Sequence, residues 1–467
     1  MPAGKYSLSG EKREFITGAY DQHDEYATAI VTGAGLDTEH LTLRLAPNAI
    51  ITGKILDEAG EPVRHANVTL YKDDHSQGVD QIRQFRGATT DDLGEYELTP
   101  LPPGTYFLSA SAKPWYAVHP RGDSQNPSQD QQAAVDRSLD VAYPVTFYAD
   151  VTDADSATPI PVRGGDRLQV DIHFTPSPAL TVLFRLPDNG KRGFAVQAFQ
   201  QPTFDSSTLV QTEVHGISNG LMAITGIPAG HYNVRISDGD RWLQIEGLDL
   251  SRDGQEIDTS TAEAVSRVKL SVKVAGESAM PAMLAVGLRP VKKTLGNLQI
   301  VDAKGETEFS QLAAGSYELI VRGSTTRYSV VHMTADGAQV SGHLLTISSG
   351  SSANASVTLV GGNVEVEGIA KKAGHPLAGA MVVLVPQDPE PNRDLFRRDQ
   401  SDLDGTFTLH GVVPGSYTLL AIENGWDLDW SQPSVISVYL KRGRRIEVRD
   451  RSGQAMTVPE AIEVQSE

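Results

Sequence analysis

The chain of 467 residues contains no cysteine, which rules out a disulfide framework, a thiolate nucleophile and a zinc–thiolate site. It has no apolar run long enough to span a bilayer, so membrane insertion is not expected. The opening residues show neither the charged nor the apolar region of a signal peptide. Positive charge is in deficit: 40 Lys and Arg stand against 59 Asp and Glu, for a formal charge of −19. Such a surface repels phosphate backbones and anionic lipid, which argues against nucleic acid as a partner. The metal-ligand pair of a zinc peptidase is missing too. A zinc carboxypeptidase needs His and Glu three apart so that both reach one ion, and none of the 12 histidines has a Glu at that spacing. No catalytic residue, metal or cofactor is expected, and the chain is not expected to be an enzyme.

What the sequence does contain is a ruler used four times. A turn glycine is followed ten residues later by a second glycine and two further on by a tyrosine: Gly94, Gly104, Tyr106; Gly220, Gly230, Tyr232; Gly305, Gly315, Tyr317; Gly405, Gly415, Tyr417. Four residues after the first glycine comes an apolar side chain, Leu98, Ile224, Phe309 or Leu409. One spacing in four places means four copies of one unit, each of roughly 100 residues and large enough for its own core.

Within a unit the pattern is that of strands. Val68 and Leu70 share a face at period two, as do Val382 and Leu384. Asp91 to Leu98 and Asp402 to Leu409 read as hairpins in which an Asp caps its own turn and a Gly supplies positive φ. No helical period exceeds a couple of turns, so the class is all-β, a tandem array of immunoglobulin-like or transthyretin-like sandwiches. The recurring Tyr106, Tyr232, Tyr317 and Tyr417 are expected to be corner residues, rings buried and hydroxyls bonded to backbone a few residues upstream.

The chain opens on Pro2 to Ser9, which parallels Pro103 to Ser109 and Pro228 to Tyr232, and 27–35 parallels 157–165. Residues 1–48 therefore read as the C-terminal remnant of an upstream module, with any targeting signal lying further upstream. The complete sandwiches are placed at 49–178, 179–265, 266–361 and 362–467. Joints at 176–178 and 348–352 favour an extended array.

The stretches Gly53 to Gly60, Asp91 to Leu98 and Leu101 to Tyr106 resemble the carboxypeptidase regulatory-like domain, and the Pro-Gly-x-Tyr corner is shared with collagen-adhesin B-type and starch-binding-like sandwiches. The segments 147–174 and 426–448 resemble the tails of tandem arrays of such domains in large exported bacterial proteins. This resemblance implies a β-sandwich, an extracytoplasmic location and no reaction. Ala110, Ile236, Val321 and Ala421 stand where isopeptide-forming modules carry a Glu, so that crosslink is not expected.

Three other features bear on chemistry. Gly216 to Gly220 fits the hydrolase elbow, but that motif needs a strand-to-helix turn and Gly220 already belongs to a hairpin. The acidic turns Asp399, Asp402, Asp404 and Asp150, Asp153, Asp155 read as solvated turns in preference to calcium loops. The aromatics Trp115, Trp242, Tyr328 and Trp426 fall nine to eleven residues after their tyrosines, as Phe15 does in the opening segment, with Tyr116 and Trp430 beside them. They serve either as packing or as sugar-stacking faces, the candidate contacts being Trp115, Tyr116, Trp242, Trp426 and Trp430. The function expected is a non-catalytic, monomeric spacer, scaffold or adhesion element. A carbohydrate-binding array, or the accessory region of a longer enzyme or transporter, is the alternative, and a polysaccharide or surface protein is the partner that fits.

Overall fold

A computed structural model describes residues 2–33, 40–76, 78, 80–119, 136–185, 194–218, 221–238, 241–259, 262–277, 279–291, 297–324, 326–390, 392–449 and 455–466. The protein is built of antiparallel and mixed sheets, and the one α-helix among these residues is Pro433–Leu440. Alternation makes the strands. In Ser266–Val274 the even-numbered Val268, Leu270, Val272 and Val274 are buried and the odd-numbered residues between them face outward.

The same pairing scheme occurs four times. Each unit's first strand pairs antiparallel with the strand after the turn glycine, as Ala49–Leu56 does with Glu95–Leu101 and Val364–Lys372 with Thr406–Val412. It also pairs parallel with a closing strand: Ala49–Leu56 with Arg167–Gln169, Leu180–Arg185 with Gln255–Asp258, Ser266–Val274 with Ser352–Gly362, and Val364–Lys372 with Ile462–Ser466. The tyrosine strand lies in the facing layer, against Asn67–Asp73, Phe194–Thr203, Ala285–Pro290 or Met381–Pro386. Between the layers sit four separate apolar cores, centred on Ile51, Leu98 and Phe174; on Val182, Phe199 and Ile224; on Val268, Val286 and Phe309; and on Val366, Val382 and Leu409.

The ruler has a steric cause. Gly94, Gly305 and Gly405 all adopt positive φ, between 69° and 83°. Each carbonyl accepts a hydrogen bond from the first strand, from the amides of Ile55, Val272 and Ala370 respectively. A Cβ at any of them would come within 2.3–2.7 Å of a first-strand carbonyl oxygen, so glycine is required for conformation and for space. Gly220 lies outside the described residues.

The corner tyrosines behave alike. Tyr106, Tyr232, Tyr317 and Tyr417 are buried and donate to the carbonyl four residues upstream, of Pro102, Pro228, Ala313 and Val413, at 2.7–2.8 Å. Burial pushes the phenols of Tyr106, Tyr317 and Tyr417 up to about 12. In the opening segment Tyr6 makes the same bond to Pro2 at 3.1 Å. Its strand meets Ile30–Thr32 in the register by which Tyr106 meets Ile160, with Gly4 opposite Thr32 as Gly104 is opposite Val162.

The units do not form an extended array, contrary to what the joints implied. The first complete sandwich touches the last: Ser431 donates through backbone and hydroxyl to the Gly78 carbonyl at 3.0 and 2.9 Å. The opening segment also lies on the last sandwich, where Asp402 accepts from the Ala29 amide at 2.9 Å and from Lys5 at 2.6 Å. Asp402 thus faces a distant segment instead of capping its own turn, as Asp91 and Asp302 do. Because the opening segment and the Pro433–Leu440 helix cover the outer face, Met381–Pro386 is buried on both sides. Val382 and Leu384 face the inner core, while Met381, Val383 and Val385 meet Trp426 and Ile436. The joint between the first two sandwiches is filled by Phe204, whose ring contacts Tyr71, Phe107 and Phe147 at 5.0–5.5 Å. Short-range sequence signals carry no information about such contacts.

Candidate functional site

The aromatics fall at similar offsets from their tyrosines, and the structure gives them different surroundings. Trp426 is only 8 % exposed. Its indole N–H donates to the Gly379 carbonyl at 3.1 Å, and its ring stacks on His23 with centroids 4.9 Å apart and planes 9° from parallel. Tyr328 is buried, with its hydroxyl 3.5 Å from Glu277. Trp242 is half-buried on the Arg241–Leu250 strand. Trp115 alone stands open, at 84 % exposure. Phe15 is half-buried under the Lys12 ammonium.

Trp426 and Trp430 enclose a side chain of the protein itself. The guanidinium of Arg398, whose side chain is 3 % exposed, lies 5.2 Å from the Trp426 ring, 4.8 Å from Trp430 and 5.0 Å from Tyr26. Asp24 pairs with it at 2.9 Å and the Ser76 carbonyl accepts from it at 3.4 Å. Arginine over aromatic faces in a desolvated setting is strongly held. The cage therefore joins three parts of the chain, the opening segment, the first sandwich and the last, and leaves Trp426 no open face for a sugar.

The remaining candidates gather at the end of the first sandwich. Tyr116 meets Trp115 edge to face with centroids 5.8 Å apart, and donates its hydroxyl to Glu58. Tyr143 donates to the other Glu58 oxygen at 2.8 Å. Burial acts to raise the Glu58 carboxyl, but the hydrogen bonds, from Tyr116 foremost, outweigh it and hold the group below its ordinary value. Glu58 is thus a fixed anion beside an exposed indole, a donor–acceptor arrangement suited to a sugar hydroxyl. The adjoining cleft, lined by Pro114, His119, Tyr143 and Leu209, encloses about 30 Å³, room for about one water. A ligand on Trp115 would rest on the surface.

The acidic turns serve the backbone. Asp399 accepts from the Thr408 amide at 2.7 Å, Asp404 from Thr406 at 3.0 Å, and Asp150 from His173 at 2.8 Å. Asp153 caps a short 3-10 turn at Asp155. The elbow-like segment runs in the strand Glu213–Ser218, ahead of Leu221–Ile227, and its last two residues fall outside the described residues. Ala110, Ile236 and Ala421 are buried in apolar cores.

Sequence reading overlooked one group. Asp73, His75 and Asp80 converge in the turn after Asn67–Asp73, facing Asp429 of the last sandwich. The Asp-x-His spacing is a signal that could have been noticed, but Asp80 and Asp429 are brought to it only by folding.

Comparison with known proteins gives one family match and a set of similar structures. Residues 50–135 match the carboxypeptidase regulatory-like domain. No curated protein sequence matches the chain. Among solved structures, the protein is similar to a streptococcal ancillary pilin at 12 % identity and a TM-score of 0.22, over 61 % of this chain and 98 % of that one. It is similar to transthyretin from Sparus aurata at 15 % identity and a TM-score of 0.16, over 27 % and 93 %. A third is the major pilin SpaA of Corynebacterium diphtheriae, at 10 % identity and a TM-score of 0.18, over 67 % and 99 %.

Proposed function

We propose that this carboxypeptidase regulatory-like, multi-sandwich chain is a non-catalytic structural protein, acting outside the cytoplasm as a scaffold, spacer or adhesion element. One observation carries the reading: what recurs is spent on folding. The tyrosine corner makes the same bond in every unit, whereas the recurring aromatics fall into different surroundings, so no chemistry is repeated with the fold. Regulatory-like domains are the non-catalytic part of the enzymes that carry them, and tandem arrays of such sandwiches belong to exported bacterial proteins. Antiserum against the purified chain, applied to fractions of cells that make it, is expected to detect it at the surface or in the medium. A pool confined to the cytoplasm overturns the reading.

A second reading, glycan binding, is favoured by the open Trp115 ring beside the Tyr116–Glu58 pair. Titrating soluble polysaccharides against the wild type and Trp115→Ala separates the two. Saturable binding lost in the folded variant would make this chain a carbohydrate binder, and no binding leaves the scaffold reading in place.

A further inference from the structure

The turn that follows Asn67–Asp73 holds a set of donors that neither reading uses. One donor atom from each of Asp73, His75 and Asp80 lies within 4.8 Å of the others. His75 Nε2 stands 3.5 Å from Asp73 Oδ1 and 3.9 Å from Asp80 Oδ1. These separations are long for hydrogen bonds. They are close to the edge of a tetrahedron around an ion bound at about 2.0–2.1 Å, which is roughly 3.3 Å.

Two further observations point into the same space. The Asp73 side chain is 31 % exposed, but its Oδ1 is turned away from solvent without a hydrogen-bond partner, and an ionised oxygen so placed is eased by a proton or cation against it. From the opposite side, Asp429 meets His75 Nδ1 at 3.0 Å and is itself held by Gln432 at 2.8 Å. A carboxylate on Nδ1 favours the tautomer protonated there and leaves the Nε2 lone pair directed at Asp73 and Asp80. That is how an outer carboxylate orients a metal-binding imidazole. Two of the cationic neighbours are engaged elsewhere, Arg83 with Asp74 and Arg398 with Asp24.

We propose that Asp73, His75 and Asp80 bind one divalent transition-metal cation of the zinc type, oriented by Asp429, so that the ion strengthens the contact between the first and last sandwiches. One imidazole and two carboxylates suit zinc, with water in the fourth position. Calcium and magnesium, which call for six or more oxygens or a near-ideal octahedron, are poorly served.

Isothermal calorimetry on the tag-free full chain, stripped with chelator and titrated with Zn²⁺ near neutral pH, is expected to show one saturable site. Ca²⁺ and Mg²⁺ should give none. Asp429→Asn should weaken zinc binding by about 10–100-fold, and His75→Gln or Asp80→Asn by more. Asp80 is exposed, so Asp80→Asn keeps the fold, checked by the melting midpoint of the stripped proteins. Zinc should raise that midpoint in the wild type and less in Asp429→Asn. Absence of a saturable site, or a site unchanged in both His75→Gln and Asp80→Asn, overturns the proposal. Zinc bound equally tightly by Asp429→Asn overturns the link between the sandwiches.

Discussion

His23, near the start of the chain, lies flat on Trp426 of the last sandwich, centroids 4.9 Å apart. Around this stack the opening segment is fastened by side chains of one strand and its turn. Gln400 reaches Thr28 at 2.7 Å, Arg398 reaches Asp24 at 2.9 Å, and Asp402 takes the Ala29 amide. The contact is mixed: aromatic rings enclose the nearly buried Arg398 guanidinium, while its partner Asp24 keeps 33 % of its side chain exposed.

Removing the stack should therefore loosen both ends at once. Trp426→Ala is expected to cost about 3–5 kcal/mol, the range for truncating a buried aromatic. Asp24→Asn, which leaves the guanidinium without its counter-charge, should cost about 1–3 kcal/mol. Denaturant titration gives the magnitudes, and limited proteolysis should cut the 2–33 segment first in both variants. Unchanged protection of that segment would show that the cage does not hold it.

The corner tyrosines predict a purely structural loss. Tyr106→Phe and Tyr417→Phe each strand a carbonyl that now accepts at 2.7–2.8 Å, and each should lower stability by about 1–3 kcal/mol. Urea midpoints check this, and a wild-type midpoint in either variant contradicts the corner role.

Stability should fall as pH rises from about 4 to 8. Burial pushes Asp399 up to about 6 from its usual 3.8. Asp394, 3.4 Å away, raises His343 above 6.5 against the opposing effect of burial. A raised folded-state value means that the folded protein holds more protons than the unfolded chain, so stability is fully present below the unfolded value and is lost through the folded one. Melting midpoints measured across this range should decline, with Asp399→Asn flattening the decline between pH 4 and 6 and His343→Gln flattening it above 6.5. Variants that keep the wild-type slope would remove these groups from the account.

Trp115 is predicted to be silent in the fold. With its ring in solvent, Trp115→Ala should change stability by no more than about 0.5 kcal/mol. Acrylamide should quench Trp115 readily and Trp426 poorly, which single-tryptophan variants can distinguish. A large stability loss in Trp115→Ala would mean that the ring packs against something.

The sequence by itself determined the repeating unit, because everything that specifies it is local. Positive φ at Gly94, Gly305 and Gly405, the hydroxyl of Tyr106 or Tyr417 returning four residues, and the alternation in Ser266–Val274 depend on neighbours within a dozen positions or on one adjacent strand. Only the tertiary structure decided what covers the outward faces. Trp115 and Trp426 occupy one position of the ruler, yet solvent meets the first, and His23, Tyr26 and Arg398 meet the second. Asp402 and Asp91 likewise begin as the same turn residue and end with different partners. An outward side chain takes its environment from whichever distant surface folds over it, and Asp429 meeting His75 is a contact of that kind.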